Sequence, residues 1–383
     1  MFDFIIIGAG FAGRVLAARL ASQQKKRILL IDKRKHIGGN CYDRNDEHGV
    51  LIHQYGPHLF HTDNKVVFDY LGQFTQWQKY QHQVLAFIDG QNVPAPFNLN
   101  AIEQLFPQSM AQVLIEKLIN IYGYGKKVPI LELRQQSDAQ LKFLADYIYE
   151  KLFVNYTAKQ WGLKPEDISP EVTGRVPVHI SRDNRYFQDR YQAVPKFGYT
   201  KIFENMLNHP NISVMLNTEF RSVIDFDAET GAVNLFGHPF AGQFIFTGLI
   251  DELFDYKFGE LPYRSLKFEF EHHQIEFYQQ ATTVNYPNDY DYTRITEFKY
   301  ISGQTLPGTT IVKEYPQDFD RLDPIKDIPY YPIFTDANAH NYAQYKHYAE
   351  QFKQLTLVGR LAENRYYDMD DMVARALEVF EEK

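Results

Sequence analysis

Phe4-Ile5-Ile6-Ile7-Gly8-Ala9-Gly10-Phe11-Ala12-Gly13 decides the fold of this chain. A run of β-formers leads straight into Gly-x-Gly-x-x-Gly, and Val15, Leu16, Ala18 and Leu20 then supply the apolar positions of a helix. A second apolar run, Ile28-Leu29-Leu30-Ile31, closes on Asp32. Strand, glycine turn, helix, strand and an acid about 20 residues on form the full context of a dinucleotide-binding βαβ unit. In it Gly8 permits the tight turn, Gly10 lets the backbone approach a pyrophosphate, and Gly13 lets helix and strand pack closely. The phosphates sit on the positive helix N-terminus, and Asp32 accepts from an adenosine ribose.

Directly after Asp32 comes Lys33-Arg34-Lys35-His36-Ile37-Gly38-Gly39-Asn40. A Gly-Gly pair so soon after the ribose acid resembles the flavin enzymes of the glutathione-reductase and amine-oxidase class, where the chain passes close to the ribityl and diphosphate. The reading is FAD rather than NAD.

Composition narrows the remaining classes. The chain has 383 residues, 44% of them hydrophobic, enough for a large core and two or three domains. No apolar run approaches the length of a membrane span, and the fingerprint strand begins at once, so no secretion signal is read and a cytoplasmic location is expected. Cys41 is the single cysteine, which leaves no intrachain disulfide, Cys-x-x-Cys pair or thiolate metal site; a small buried residue beside the Gly-Gly turn is the plain reading of it. A net charge of -8 with both signs dispersed argues against nucleic-acid or polybasic membrane binding. The 27 tyrosines suit a pocket that stacks rings and still donates hydrogen bonds.

Along the chain, Tyr55 to Thr62 is dense in histidine and glycine and reads as a loop lying against the flavin. His58 and His61 lack a carboxylate partner, so no metal is expected. A helical pattern runs from about Lys65 to Tyr80. Val84–Ile88 and Gln91–Pro94 flank Asp89-Gly90, a hairpin signal, and a helical insert follows with period near 3.6. Leu163 to Pro177, containing Arg175, reads as a candidate mobile lid. Residues 198–216 read as helix and strand, Phe240–Phe246 as a strand, and Ser265–Lys313 as antiparallel segments. The strand Leu355–Val358, Gly359-Arg360 and a helix over 370–380 end the chain.

The fold class is therefore α/β: a Rossmann-like FAD-binding domain (1–78 with 198–250 and 335–383), an inserted helical domain (98–150), and an antiparallel-sheet substrate domain (79–97 with 151–197 and 251–334). No second dinucleotide fingerprint, nucleophile elbow, Walker loop or zincin motif accompanies it, which disfavours an NAD(P)H-coupled reductase. Arg175, Arg294 and Arg360 sit beside aromatics, and arginine's planar fork suits a diphosphate.

Six further stretches carry a specific resemblance: Tyr-Gly-Pro-His-x-Phe-His-Thr (55–62), Tyr-Thr-x-Lys-Gln-Trp-Gly (156–162), Arg-Val-Pro-Val (175–178), Tyr-Thr-Arg-Ile-Thr-Glu (292–297), Pro-Tyr-Tyr-Pro (329–332) and Gly-Arg-Leu…Arg-Tyr-Tyr-Asp-Met-Asp (359–370). In this order they resemble the UDP-galactopyranose mutase family across nearly the whole chain, most weakly over 100–145. The resemblance implies an isomerase that interconverts UDP-galactopyranose and UDP-galactofuranose without net redox change. It implies reduced FAD as cofactor, whose N5 forms an adduct with the sugar. It assigns catalytic roles to Arg175, Arg294 and His58. Phe153, Tyr156, Thr157, Trp161, Tyr186, Asn285, Tyr331, Tyr366 and Asp368 would bind substrate. Gly8, Gly10, Phe11, Ala12, Gly13, Asp32, Lys33, Gly39, Asn40, His58, Arg360 and Met369 would bind FAD. Leu152 and His82 depart from the family pattern, which has an aromatic and an asparagine there in some members. A homodimer or higher oligomer is expected. The competing readings are a flavin oxidase of the amine-oxidase class and a non-catalytic sugar-nucleotide sensor.

Overall fold

A five-stranded parallel sheet carries the fingerprint. In the computed structural model, which describes residues 2–162, 177–323 and 328–383, its strands run in the order Ile212–Met215, Ile28–Ile31, Phe4–Ile7, Gln243–Phe246, Leu355–Leu357. Every neighbouring pair is parallel. Pleating puts Phe4, Ile6, Ile28, Leu30 and Ile245 on one face, buried against the helices Phe11–Gln23, Tyr199–Leu207 and Met369–Glu381. Ile5, Ile7, Leu29, Ile31, Phe244 and Phe246 face the other way, into a cluster with Phe226, Phe254, Tyr345 and Phe352. Cover on both faces is why Phe4–Ile7 and Ile28–Ile31 read as unbroken apolar runs.

Two elements differ from the sequence expectation. The strand expected over Phe240–Phe246 is divided, with His238–Phe240 in a small antiparallel sheet and Gln243–Phe246 in the parallel one. Gly242 lies at the break, where a Cβ would stand 2.3 Å from the carbonyl oxygen of Asp3. The helix from Lys65 stops at Gly72, and Trp77–Lys79 is a strand paired with Tyr191–Pro195. There the Trp77 ring stacks on Phe60 and Phe68, and burial of so large an apolar surface outweighs the local helical period.

A seven-stranded sheet forms the second layer, in the order Tyr331–Pro332, Tyr263–His273, Thr309–Asp318, Arg294–Glu297, Thr283–Asn285, Val84–Ile88, Gln91–Ala95. It is antiparallel except where Thr283–Asn285 runs parallel to Val84–Ile88. Asp89 and Gly90 both take positive φ, at 49° and 80°, as a two-residue hairpin turn requires. The helices Leu99–Leu105, Gln108–Tyr122, Ile130–Leu133 and Ala139–Ile148 share one buried cluster with Val84, Ala86, Ile88 and Val93 of that hairpin. A π-helical turn, Tyr149–Val154, then leads into the helix Asn155–Trp161. No helix among the described residues is long and apolar enough to cross a membrane.

Candidate active site

The carboxyl ends of the parallel strands open on one groove with a cavity volume of about 280 Å3, where a doubly wound sheet places its ligands. Its wall contains Gly8, Gly10, Phe11, Ala12, Asp32, Lys33, Gly39, Asn40, His58, Arg360 and Met369. Gly13 is absent from the wall and works by packing, since a Cβ there would lie 2.1 Å from the Gly8 carbonyl oxygen. Gly10 has nothing within 4 Å of the same construction, so it faces open groove. Asp32 accepts the N–H of Ala9 at 2.7 Å and of Arg34 at 2.8 Å, which locks the glycine turn to the second strand. Open space at Gly10, backbone amides at a helix start and an acid at the second strand's end fit a flavin dinucleotide. Sequence reading missed Thr218, Phe220, Thr247 and Leu249, which also line the groove. They follow the strands Ile212–Met215 and Gln243–Phe246, so the strand ends themselves were the available signal.

A second cavity of about 600 Å3 adjoins the first and shares Asn40, His58, Tyr330, Arg360, Asp368 and Met369 with it. Sheet register builds its floor. Asn285 stands opposite Arg294, and Arg294 opposite Glu314 on the next strand. Glu314 is 1% exposed, and its Oε1 lies 2.7 Å from Arg294 Nε. The contact is an ion pair. Burial alone would lower the Arg294 pKa, but Glu314 and the Tyr156 hydroxyl outweigh it and hold the guanidinium firmly charged.

Helical residues form the roof. Leu152, Phe153, Tyr156, Thr157 and Gln160 all reach the cavity. A π-turn inserts one extra residue per turn, which rotates successive side chains onto one face in a way that a 3.6 period does not announce. Tyr186, Tyr331 and Tyr366 line the same space, the last two stacked with centroids 5.9 Å apart. Val84, Pro96, Phe97, Leu152, Phe153 and Val178 give an apolar patch suited to a base. Lys127, His179, Gln188 and Asp189 also line this cavity without having been read from sequence, and no local motif marks them. His61 and Asp370, which fall in the 55–62 and 359–370 stretches, line it too, and His61 Nδ1 lies 3.3 Å from Asp189 Oδ2, a carboxylate partner that the sequence did not show. Arg175 and most of the expected lid lie outside the described residues, as does the side chain of Trp161.

Three histidines around the cavities are held neutral. Burial lowers the pKa of His53 to about 4, and burial, then the His53 ring, lowers that of His58 to about 3. His82 falls to about 3 through burial, with Arg294 adding to it. His58 Nδ1 lies 2.9 Å from the Gly56 carbonyl oxygen, so that bond fixes the neutral tautomer with its proton on Nδ1 and leaves Nε2 as an acceptor. The sign of the stability effect follows. Below the ordinary histidine pKa the unfolded chain binds protons that the folded one refuses, so stability falls as pH drops from about 6.5 towards 4. His82→Asn should make that fall shallower by up to about 1.4 kcal/mol per pH unit, measured by denaturant unfolding across this range. An identical slope in the variant would contradict the neutral assignment. Among the described residues no group of three or more His, Cys, Asp or Glu is placed to hold a metal.

Known proteins resemble this chain along nearly its whole length. A family model described as UDP-galactopyranose mutase matches residues 151–366, and one described as NAD(P)-binding Rossmann-like domain matches 6–74. A probable UDP-galactopyranose mutase of Klebsiella pneumoniae is 37% identical over 99% of this chain and 94% of its own length. A dTDP-fucopyranose mutase of Escherichia coli is 36% identical over 99% and 97%. The crystal structure of a reduced UDP-galactopyranose mutase superposes with a TM-score of 0.75 at 17% identity, over 100% of this chain and 93% of the other; at that identity the likeness is one of fold.

Proposed function

This chain belongs to the UDP-galactopyranose mutase family, and from that premise we propose that it interconverts UDP-galactopyranose and UDP-galactofuranose with reduced FAD as cofactor. It is a flavin-dependent isomerase of sugar ring form, and the observation that carries the reading is the pair of adjoining cavities. One is shaped for a dinucleotide, the other carries a charged arginine and clustered tyrosines, and His58, Asn40 and Arg360 stand where they meet.

Bound reduced FAD would supply the nucleophile that displaces UDP from the anomeric carbon. The chain's own residues do the rest. Arg294 holds the diphosphate as it leaves, so that it stays in place for return. Tyr156, Tyr186, Tyr331 and Tyr366 surround that site with hydroxyl donors, and the apolar patch around Phe97 and Phe153 takes the base. Neutral His58, with Nε2 as acceptor, orients a sugar hydroxyl rather than delivering a charge. Asp368 and Asn285 are read as further substrate contacts, and Arg175 as the second diphosphate clamp. The same reading makes the protein a cytoplasmic homodimer or higher oligomer whose product feeds cell-surface polysaccharide synthesis.

A second substrate has a specific observation behind it: the E. coli relative named for dTDP-fucopyranose is as similar as those named for UDP-galactopyranose. The test is to purify the protein, record its visible spectrum, and incubate it with UDP-galactofuranose and with dTDP-fucopyranose, with and without dithionite. Conversion of UDP-galactofuranose to the pyranose only after reduction is expected. Conversion of the dTDP sugar alone would move the substrate but keep the chemistry. Oxygen consumption without ring isomerisation would establish the oxidase reading, and absence of flavin would remove the proposal.

A further inference from the structure

We propose that Arg14, Arg34 and Arg360 form a fixed cationic collar around one end of the flavin groove, which biases the bound flavin toward its reduced, anionic form. The inference rests on the flavin reading above, and none of its measurements requires turnover.

Arg34, Arg360 and Cys41 share the groove wall, and Arg14 is close enough to act on the same thiol. Burial pushes the Cys41 thiol up to about 12, and Arg360, Arg14 and Arg34 all act against that shift. Arg34 and Arg360 line the groove themselves. Arg14 stands behind it, one residue past the fingerprint, with 0% exposure.

Each charge is held without a direct ion pair. Among the described residues none of the three guanidiniums has a carboxylate in salt-bridge contact. Aromatic faces support them instead: Arg14 lies 4.5 Å from the Phe203 centroid, Arg34 4.5 Å from that of Tyr55, and Arg360 5.0 Å from that of Tyr366. A ring face steadies a cation and leaves its net charge intact. The polar contacts are neutral as well, since Arg34 Nη2 donates to Asn40 Oδ1 at 2.8 Å and Arg360 Nη1 to the Tyr330 carbonyl at 3.3 Å. All three nitrogens of the Arg14 side chain are without a hydrogen-bond acceptor. Two acids, Asp32 and Asp43, are close enough to offset part of this charge, but each is held by backbone amides and not by a guanidinium. Asp32 accepts from Ala9 and Arg34, and Asp43 from Tyr199 and Thr200. Burial lowers the Arg14 pKa only to about 9, so it remains a cation at neutral pH.

Arg14, a buried cation with no carboxylate in contact among the described residues, is costly to the fold. Reduction adds two electrons and one proton to the oxidised flavin, so the bound group gains one negative charge. In a low-dielectric wall that charge is attracted by every uncompensated cation within several ångströms. A collar of this kind favours the redox state that the proposed isomerisation needs, before any substrate arrives.

The experiment is the two-electron midpoint potential of bound FAD in wild type, Arg14→Met, Arg14→Lys and Arg34→Met, by anaerobic dye-coupled titration. Arg14→Met and Arg34→Met should each favour the oxidised form about tenfold, a shift of roughly -30 mV, with Arg14→Lys close to wild type. Flavin-free Arg14→Met should unfold at higher temperature than flavin-free wild type, because an apolar side chain of similar length replaces an unpaired charge. A merely structural arginine would give the opposite: lower stability and an unmoved potential. Unchanged potentials in both methionine variants would overturn the proposal. Should Arg14→Met not retain FAD, Arg34→Met decides alone. A wild-type protein that holds no flavin would sink the proposed function, a result distinct from any shift among the variants.

Discussion

Arg294→Ala should yield a protein that is still yellow and nearly without mutase activity. The guanidinium is the charged group at the floor of the larger cavity, outside the flavin groove, so its loss leaves cofactor contacts in place. A charge-assisted hydrogen bond to phosphate contributes about 1.5–3 kcal/mol, or roughly ten- to hundredfold in kcat/KM. The loss should exceed that figure, because the leaving diphosphate must be kept in position for return and misplacement adds its own penalty. A second effect separates this variant from an ordinary contact deletion. Glu314, 1% exposed, would remain as a buried carboxylate with its cation gone, and stranding one member of a buried pair costs about 3–5 kcal/mol. Arg294→Ala should therefore unfold at lower denaturant than wild type, and adding Glu314→Gln should recover stability without recovering activity. Flavin absorbance, kcat/KM with UDP-galactofuranose and denaturant midpoints read the three quantities separately. Near wild-type turnover in Arg294→Ala would remove the clamp assignment; Arg175, on the family pattern, should behave alike.

What was legible in the chain and what was not divides along physical lines. The Phe4 to Asp32 unit could be read because its information is local: glycines at fixed offsets, two apolar runs and an acid. The parallel sheet followed from the same signal, since strands covered on both faces read as continuous apolar runs. Arg294 could be picked out as a phosphate-type residue beside aromatics, but Glu314 could not be paired with it. That pairing exists only in the register between two strands separated in sequence, and register is set by tertiary packing. The π-turn at Tyr149–Val154 was equally hidden, because one inserted residue breaks the helical period where it matters most. Trp77 was misplaced in a helix for a related reason: its stacking partners, Phe60 and Phe68, are invisible to a window centred on it. No sequence signal singles out Arg14, and only its burial without an acceptor sets it apart.

Gly10→Ala and Gly13→Ala should both weaken flavin retention, by different routes that one pair of measurements can separate. At Gly10 the backbone φ is -84°, accessible to alanine, and an added Cβ meets nothing within 4 Å. The variant should therefore fold with wild-type stability. Its new methyl group projects into the groove where the backbone must approach the diphosphate, so FAD binding should weaken roughly five- to hundredfold, as expected for overpacking costs of about 1–3 kcal/mol. At Gly13 the added Cβ would lie 2.1 Å from the Gly8 carbonyl oxygen and 3.0 Å from Ile6 Cγ2. Backbone cannot yield there as a flexible side chain can, so the first helix must move off the first strand. That displacement reaches Val15, Leu16 and the buried cluster they share with Ile6 and Leu30, and it should lower stability as well as cofactor affinity. Thermal unfolding of the flavin-free proteins and FAD titration followed by fluorescence quenching are the two readouts. Equal destabilisation by both alanines would mean that the space at Gly10 is structural rather than reserved for a ligand, and the cofactor reading of the groove would lose its main support. Wild-type stability in Gly10→Ala together with lost flavin would tie the fingerprint's middle glycine to the diphosphate itself.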